Sequence, residues 1–389
     1  MNEFIFSYPV KIYFGEKAAQ KNLPGELDKV GNTVMLAYGG GSIKKNGIYE
    51  EIITLLKEAG KKVVEFSGIM PNPTYEKVQE GAALAKKENV DFILAVGGGS
   101  VSDCCKIVAS QAMYEEDIWN MEFVDHKFPQ KALPFGVIVT VSGTGSEQNT
   151  GAVITNEEKK LKLGLWGASA DFAILDPAYT ISVPLKQVIS GAFDTLSHSM
   201  ETYFGKPQEN FLSDEINEAV MRNTIRNIRE VIKNPNDLTP RSELMWDSAM
   251  AENGILKIGK VTDFQAHMIE HQLGAYTNCN HGEGLAVIHP VMYKHIYKEA
   301  VTKFARFATE VWNISSEGKS DEELAFQGIK ALEDFIKEIG LPTTFKEMNI
   351  EDDEILRKVA DTTILTNGCC KKLTADEIYE ILLECKYKI

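Results

Sequence analysis

No stretch of the chain approaches the run of about 18 apolar residues that a membrane-spanning helix needs, although hydrophobic residues make up 44% of it. Positive charge is scarce: 41 lysines and arginines stand against 56 aspartates and glutamates, a formal net charge of −15. That balance excludes nucleic acid and anionic membrane as principal partners and chiefly serves solubility. Cysteine is sparse as well. The six present include the adjacent pairs Cys104-Cys105 and Cys369-Cys370, and none has zinc-ribbon or thioredoxin spacing, so they read as reduced thiols. The opening Met1-Asn2-Glu3-Phe4 lacks the basic region and long apolar run of a signal peptide, and a cytoplasmic location is expected. Low-complexity tracts, long repeats and extended linkers are missing too.

What is present suits two domains, since 389 residues exceed what one core usually organises. From Lys11 to about Pro184, short β-type runs alternate with helical ones, the pattern of a parallel sheet wrapped by helices. Beyond Pro184 the strand signals fade, and long charged amphipathic runs such as Glu215 to Lys233, Arg241 to Gly254 and Leu324 to Ile339 predict helices. The expected division is an α/β domain over 1–184 and an all-helical domain over 185–389.

Within the first half, the apolar run Thr33 to Tyr38 leads into Gly39-Gly40-Gly41-Ser42 and then an amphipathic segment from Ile48 to Ala59. The same order recurs where Asp91 to Val96 leads into Gly97-Gly98-Gly99-Ser100 and a helix predicted from Val101 to Met113. Two strand-glycine-helix turns suggest a dinucleotide crossing the carboxyl ends of the strands, because glycine lets backbone N–H groups approach a pyrophosphate and the helix N-terminus adds favourable charge. Neither turn has the Gly-x-Gly-x-x-Gly spacing, and three glycines after a strand also make an ordinary tight turn. A third apolar run from Val137 ends in Thr140-Val141-Ser142-Gly143-Thr144-Gly145-Ser146-Glu147, where hydroxyls suit phosphate or amide contacts.

The second half holds most of the seven histidines. Asp194 and His198 are four apart, as are His267 and His271, and His281 sits in Asn280-His281-Gly282. Residues four apart share a helix face, so each pair can converge on one point. Three imidazoles with one carboxylate suit a divalent transition metal such as Zn²⁺ or Fe²⁺.

Four motifs together carry a resemblance over nearly the whole length: Gly97 to Ser100 with Asp103, Thr140 to Glu147, Gly191-Ala192-Phe193-Asp194-Thr195-Leu196-Ser197-His198, and His267 through His281-Gly282. The chain resembles the iron-containing (group III) alcohol dehydrogenases, in the butanol dehydrogenase and broad-range aldehyde reductase branch. The resemblance implies a Rossmann-like dinucleotide-binding α/β domain followed by an all-α metal-binding domain, the dehydroquinate synthase-like architecture, with cofactor and substrate in a cleft between them. It implies Asp194, His198, His267 and His281 as metal ligands, with His271 close by in proton relay or on the nicotinamide side. The implied reaction interconverts primary alcohols and aldehydes by hydride transfer, a divalent cation polarising the substrate oxygen.

For the cofactor, the backbone of Gly97, Gly98, Gly99 and Ser100 is assigned to the pyrophosphate with Asp103 in support, and Thr140, Ser142 and Thr144 to the nicotinamide side. Asn72, in Pro71-Asn72-Pro73, and Lys162 are drawn by the resemblance to ribose or phosphate; a solvated surface lysine is the plain alternative for Lys162. Relatives that prefer NAD often carry an acidic residue in the first glycine loop. Here Gly39, Gly40, Gly41 and Ser42 are followed by Ile43-Lys44-Lys45, so NADP(H) is expected to be accepted and slightly favoured over NAD(H). Iron and zinc fit the ligands equally. The rival readings are a polyol (glycerol-type) dehydrogenase, a metal-dependent lyase or synthase on the same fold, and a non-catalytic dinucleotide sensor. The partly alternating segment Phe4 to Phe14 offers an edge strand for a homodimer, or for pairing within its own domain.

Overall fold

The computed structural model describes residues 1–387, and Lys388 and Ile389 lie outside the described residues. The chain divides into two compact units.

One unit comprises Ser7–Pro184 with Asn236–Met245. Its strands are β1 (Lys11–Phe14), β2 (Thr33–Tyr38), β3 (Lys62–Phe66), β4 (Phe92–Gly97), β5 (Phe135–Val139), β6 (Gly151–Asn156), β7 (Leu161–Trp166) and β8 (Phe172–Leu175). Six of them form a parallel sheet in the order β1-β8-β5-β4-β2-β3, and β6 with β7 makes a separate antiparallel hairpin. Every residue of β4, β5 and β8 is buried, which is why these strands read as continuous apolar runs: helices cover both faces of a parallel sheet. The helices here are α1 (Ala18–Leu27), α2 (Ser42–Lys45), α3 (Ile48–Glu58), α4 (Tyr75–Glu88), α5 (Gly99–Gln111) and α6 (Ile118–Phe123). Chain order reverses across β2: β3 lies on one side of it and β4 on the other. The carboxyl ends of β2 and β4 therefore flank a topological switch point, the usual ligand crevice of such sheets.

The other unit comprises Met1–Phe6, Leu185–Pro235 and the chain from Trp246 on. It contains α7 (Leu185–Tyr203), α8 (Leu212–Lys233), the second half of α9 (Leu238–Glu252), α10 (Gln265–Thr277), α11 (His281–Ile296), α12 (Val301–Arg306), α13 (Asp321–Glu338), α14 (Asp353–Thr362) and α15 (Ala375–Lys386). Caps set several of these ends. Ser320 with Glu323 and Thr374 with Glu377 form capping boxes at α13 and α15, and Asn280 Oδ1 accepts the Glu283 amide at the start of α11.

Two segments depart from a division at 184/185. Met1–Phe6 belongs to the helical unit, where the Asn2 amide donates to the Gly259 carbonyl at 3.0 Å. Asn236–Met245 belongs to the sheet unit, where the Arg241 guanidinium donates to the Thr180 carbonyl. The edge strand expected from Phe4 to Phe14 is shorter than its pattern. Only Lys11–Phe14 is strand, and it pairs in parallel with Phe172–Leu175 inside its own unit. Among the described residues, no helix is long and apolar enough to cross a membrane.

Candidate metal centre and dinucleotide loops

Helix α7 is buried almost continuously from Ile189 to Tyr203, although Asp194, Ser197, His198 and Glu201 lie on it. Burying such groups is costly unless each finds a partner, and here α10 and α11 supply most of the partners: Asp194 and Glu201 meet His267, and Ser197 meets His289. The Nε2 atoms of His267, His281 and His198 lie 3.3, 3.4 and 3.7 Å from one oxygen, Asp194 Oδ1. Ligand atoms around a four-coordinate ion at about 2.1 Å stand about 3.4 Å apart, so this spacing fits a single divalent cation. The ligand atoms of Asp194, His267 and His281 all lie within 4.8 Å of one another, as do those of Glu270, His271 and His281. His198 is the outlying member, its ring stacked on those of His267 and Phe264, with centroids at 4.6 and 5.8 Å.

Two glutamates absent from the sequence reading stand behind the rings. Glu201 Oε2 meets Nδ1 of His267 and Glu270 Oε2 meets Nδ1 of His281. Charge follows from this crowding. Burial alone would lower the His267 and His281 imidazoles, but Glu201 with Asp194, and Glu270 with Asp194, raise them, His267 to about 10. Burial lowers His198 despite Asp194. Asp194 is held well below the usual carboxylate range: burial opposes ionisation, and His198 and His281 outweigh it. The carboxylates thus favour positive charge on His267 and His281 but not on His198, and metal binding here would release protons.

Glycines bring the helices together. A β-carbon at Gly282 would lie 2.3 Å from the Ser190 carbonyl oxygen, and one at Gly284 would lie 2.9 Å from Glu270 Cγ. Ser190 Oγ donates to Asn280 Oδ1 at 2.5 Å, so the cap that starts α11 is tied to α7 and sets His281 at the first helical position. His271 lies one turn beyond His267, buried, with ring centroids 6.0 Å from His267 and 5.5 Å from His281.

In the sheet unit, the three turns singled out in the sequence leave three adjacent strands at the same end. Gly39 to Gly41 follow β2, Gly97 closes β4 with Gly98 and Gly99 opening α5, and Thr140 follows β5 with its amide donating to the Gly97 carbonyl at 2.9 Å. Gly40 and Gly41 face open space, and Gly41 has φ +99°. The second turn is glycine for packing too, because a β-carbon at Gly99 would strike Thr144 Oγ1 at 2.3 Å. Ser42 begins a short helix, α2, before α3. Ser100 is in the first turn of α5, and Ser142 and Thr144 are half-buried.

Asp103 turns inward: its carboxylate accepts the Ser146 hydroxyl at 2.5 Å and the Val153 amide at 3.0 Å, and burial raises its pKa against the pull of Lys106. Lys106, missed in the sequence, is fully buried and donates to Asn149 Oδ1 and the Gly151 carbonyl. Lys162 is 4% exposed, which removes the solvated-lysine alternative. It stands opposite Thr155 in the hairpin, whose amide donates to the Pro73 carbonyl at 2.9 Å. Asn72, at φ +53° between two prolines, is therefore tied to the same strand pair.

The family model for iron-containing alcohol dehydrogenase matches residues 9–177, and that for the Fe-containing alcohol dehydrogenase family, C-terminal, matches 188–385. A probable NADH-dependent butanol dehydrogenase of Bacillus subtilis (strain 168) is 37% identical over 98% of this chain and 99% of its own. An NADPH-dependent aldehyde reductase of Escherichia coli (strain K12) is 33% identical over 98% and 99%. The crystal structure of an NADH-dependent butanol dehydrogenase A from Thermotoga maritima superposes with a TM-score of 0.93 at 35% identity, covering 100% of this chain and 99% of that one. With both halves matched and the fold shared from end to end, the chain belongs to the iron-containing alcohol dehydrogenase family.

Proposed function

We propose that this enzyme interconverts primary alcohols of butanol type and their aldehydes with NAD(H) or NADP(H), using one divalent metal. The observation that carries the reading is the convergence of three imidazole Nε2 atoms on Asp194 Oδ1 within 3.3 to 3.7 Å.

Asp194, His198, His267 and His281 would hold the ion, and their oxygen and nitrogen donors suit iron(II) or zinc. When bound, such an ion supplies Lewis-acid polarisation of the substrate oxygen, and the nicotinamide supplies or accepts the hydride. The chain itself binds and orients. The amides of Gly97 to Ser100 at the start of α5 are assigned to the pyrophosphate, Gly39 to Ser42 to the adenosine side, Thr140, Ser142 and Thr144 to the nicotinamide side, and Asn72 and Lys162 to ribose or phosphate. Asp103 supports this set from beneath. His271, buried one turn from His267, is assigned the proton that the alcohol loses or the aldehyde gains. Domain boundaries at 1–184 and 185–389, with a short exchange of segments, correspond to these two tasks.

A homodimer is part of the proposal, since Phe4 and Ile5 are 50% and 99% exposed and a second copy would cover them. A mass by light scattering near 43.2 kDa would remove it. A cytoplasmic location agrees with six free thiols.

The enzymatic test uses chelated protein reconstituted with iron(II) or zinc without oxygen, offered butyraldehyde with NADH and with NADPH. Metal-dependent oxidation of the reduced cofactor, abolished in His267→Ala, is expected and ranks both metal and cofactor. No turnover across a panel of aldehydes with metal bound would defeat the reading.

A further inference from the structure

Glu201 and Glu270 account for a feature that the four proposed ligands leave unexplained: two of the three imidazoles are braced from behind and the third is not. Glu201 lies on α7 seven residues after Asp194, two turns along the same face. Its Oε1 accepts the Ala266 amide at 2.6 Å and its Oε2 faces the His267 amide at 3.3 Å and Nδ1 of the same residue. Glu270, three residues after His267 on α10, reaches Nδ1 of His281 on α11, and Gly284 leaves the room its side chain needs. Side-chain exposure is 1% for Glu201 and 0% for Glu270. His198 Nδ1, by contrast, has no hydrogen-bond partner among the described residues.

We infer that Glu201 and Glu270 are positioning residues for the metal, each fixing its histidine with the proton on Nδ1 and the lone pair on Nε2 turned toward Asp194. This rests on the proposed metal site. A carboxylate behind a ligand imidazole fixes the ring and raises its basicity, and losing one typically weakens metal binding roughly 10- to 100-fold. The two glutamates differ in what glutamine does to them. Glutamine at 270 can still accept from Nδ1, so that variant removes charge and keeps orientation. Glutamine at 201 that keeps its oxygen on the Ala266 amide turns its NH₂ toward His267 Nδ1, which moves the ring proton to Nε2 and blocks the donor.

The test is metal affinity, read by chelator competition with zinc and by the visible spectrum of the cobalt(II) protein, on wild type, Glu270→Gln, Glu270→Asp, Glu201→Gln and His267→Ala. Metal-free circular dichroism reports the fold of each. The expected result is a loss of roughly 10- to 100-fold in Glu270→Gln, a larger loss in Glu201→Gln, and an intermediate value in Glu270→Asp, which keeps the charge. Should Glu201→Gln not fold, the two Glu270 variants decide. Wild-type affinity and an unchanged cobalt spectrum in Glu270→Gln, with binding lost in His267→Ala, would overturn the inference and leave the metal site standing. A wild-type protein that binds neither ion would overturn the metal site itself.

Discussion

Gly282 and the Ser190 carbonyl oxygen occupy one another's space, since a β-carbon at 282 would lie 2.3 Å from that oxygen and 2.6 Å from Ser190 Oγ. The contact presses the first turn of α11 against α7, and His281 rides on that turn. Gly282→Ala is therefore expected to push α11 away and carry His281 from Asp194. Overpacking of this kind costs about 1–3 kcal/mol, read as a lower urea midpoint, and the larger effect should be a fall in metal content. Full metal content in a destabilised Gly282→Ala would mean that α11 yields without moving His281.

The three proposed imidazole ligands should not be equal. His198 stands farthest from Asp194 Oδ1, at 3.7 Å, and is held by stacking on His267 and Phe264 rather than by a carboxylate. His198→Ala is expected to retain measurable metal under conditions where His267→Ala and His281→Ala retain none. Equilibrium dialysis against a graded chelator series would show it, and an identical loss in all three would refute the ranking.

Much of this was legible in the chain itself, for reasons that differ between elements. Thr33–Tyr38 reads as a strand because both faces of a parallel sheet are covered, which leaves no polar alternation to confuse it with a surface strand. The five candidates Asp194, His198, His267, His271 and His281 are legible because histidine is rare here and helical spacing is local, while the proposed ligand set without His271 rests on the family resemblance. Glu201 and Glu270 were not legible: carboxylates on helices are common, and only the packing of α7, α10 and α11 reveals that these two are buried. The inward turn of Asp103 and the burial of Lys162 depend likewise on the β6–β7 hairpin, whose partners are far away in sequence. The membership of Met1–Phe6 and Asn236–Met245 is a property of long-range contacts that no local pattern records.

Asp103 joins α5 to the turn holding Ser146 and to β6 at Val153. A residue needed only to touch the cofactor could be replaced without harm to folding. Asp103→Ala should instead lower the urea midpoint, because each buried donor left unpaired costs about 1–3 kcal/mol. Asp103→Asn, which keeps one acceptor oxygen, should fall between. Unchanged stability in both variants, with dinucleotide binding lost, would make Asp103 a direct contact and not a brace.

Glu122 supplies a pH dependence whose sign can be worked out. Its carboxylate accepts the Trp166 amide on both oxygens, at 3.1 and 2.9 Å, but burial raises its pKa from 4.5 to about 7 against that hydrogen bond. Between those two values the folded protein holds a proton that the unfolded chain has released. Stability from this group is therefore fully present below pH 4.5 and is lost as pH rises through about 7. Glutamine keeps an acceptor for the Trp166 amide and cannot ionise. Glu122→Gln should thus match wild type at the acidic end of the window and become progressively more stable than wild type up to about pH 7, with a constant difference above it. Urea denaturation of both proteins across that range reads the effect, and a difference that does not change with pH would show that Glu122 does not titrate there.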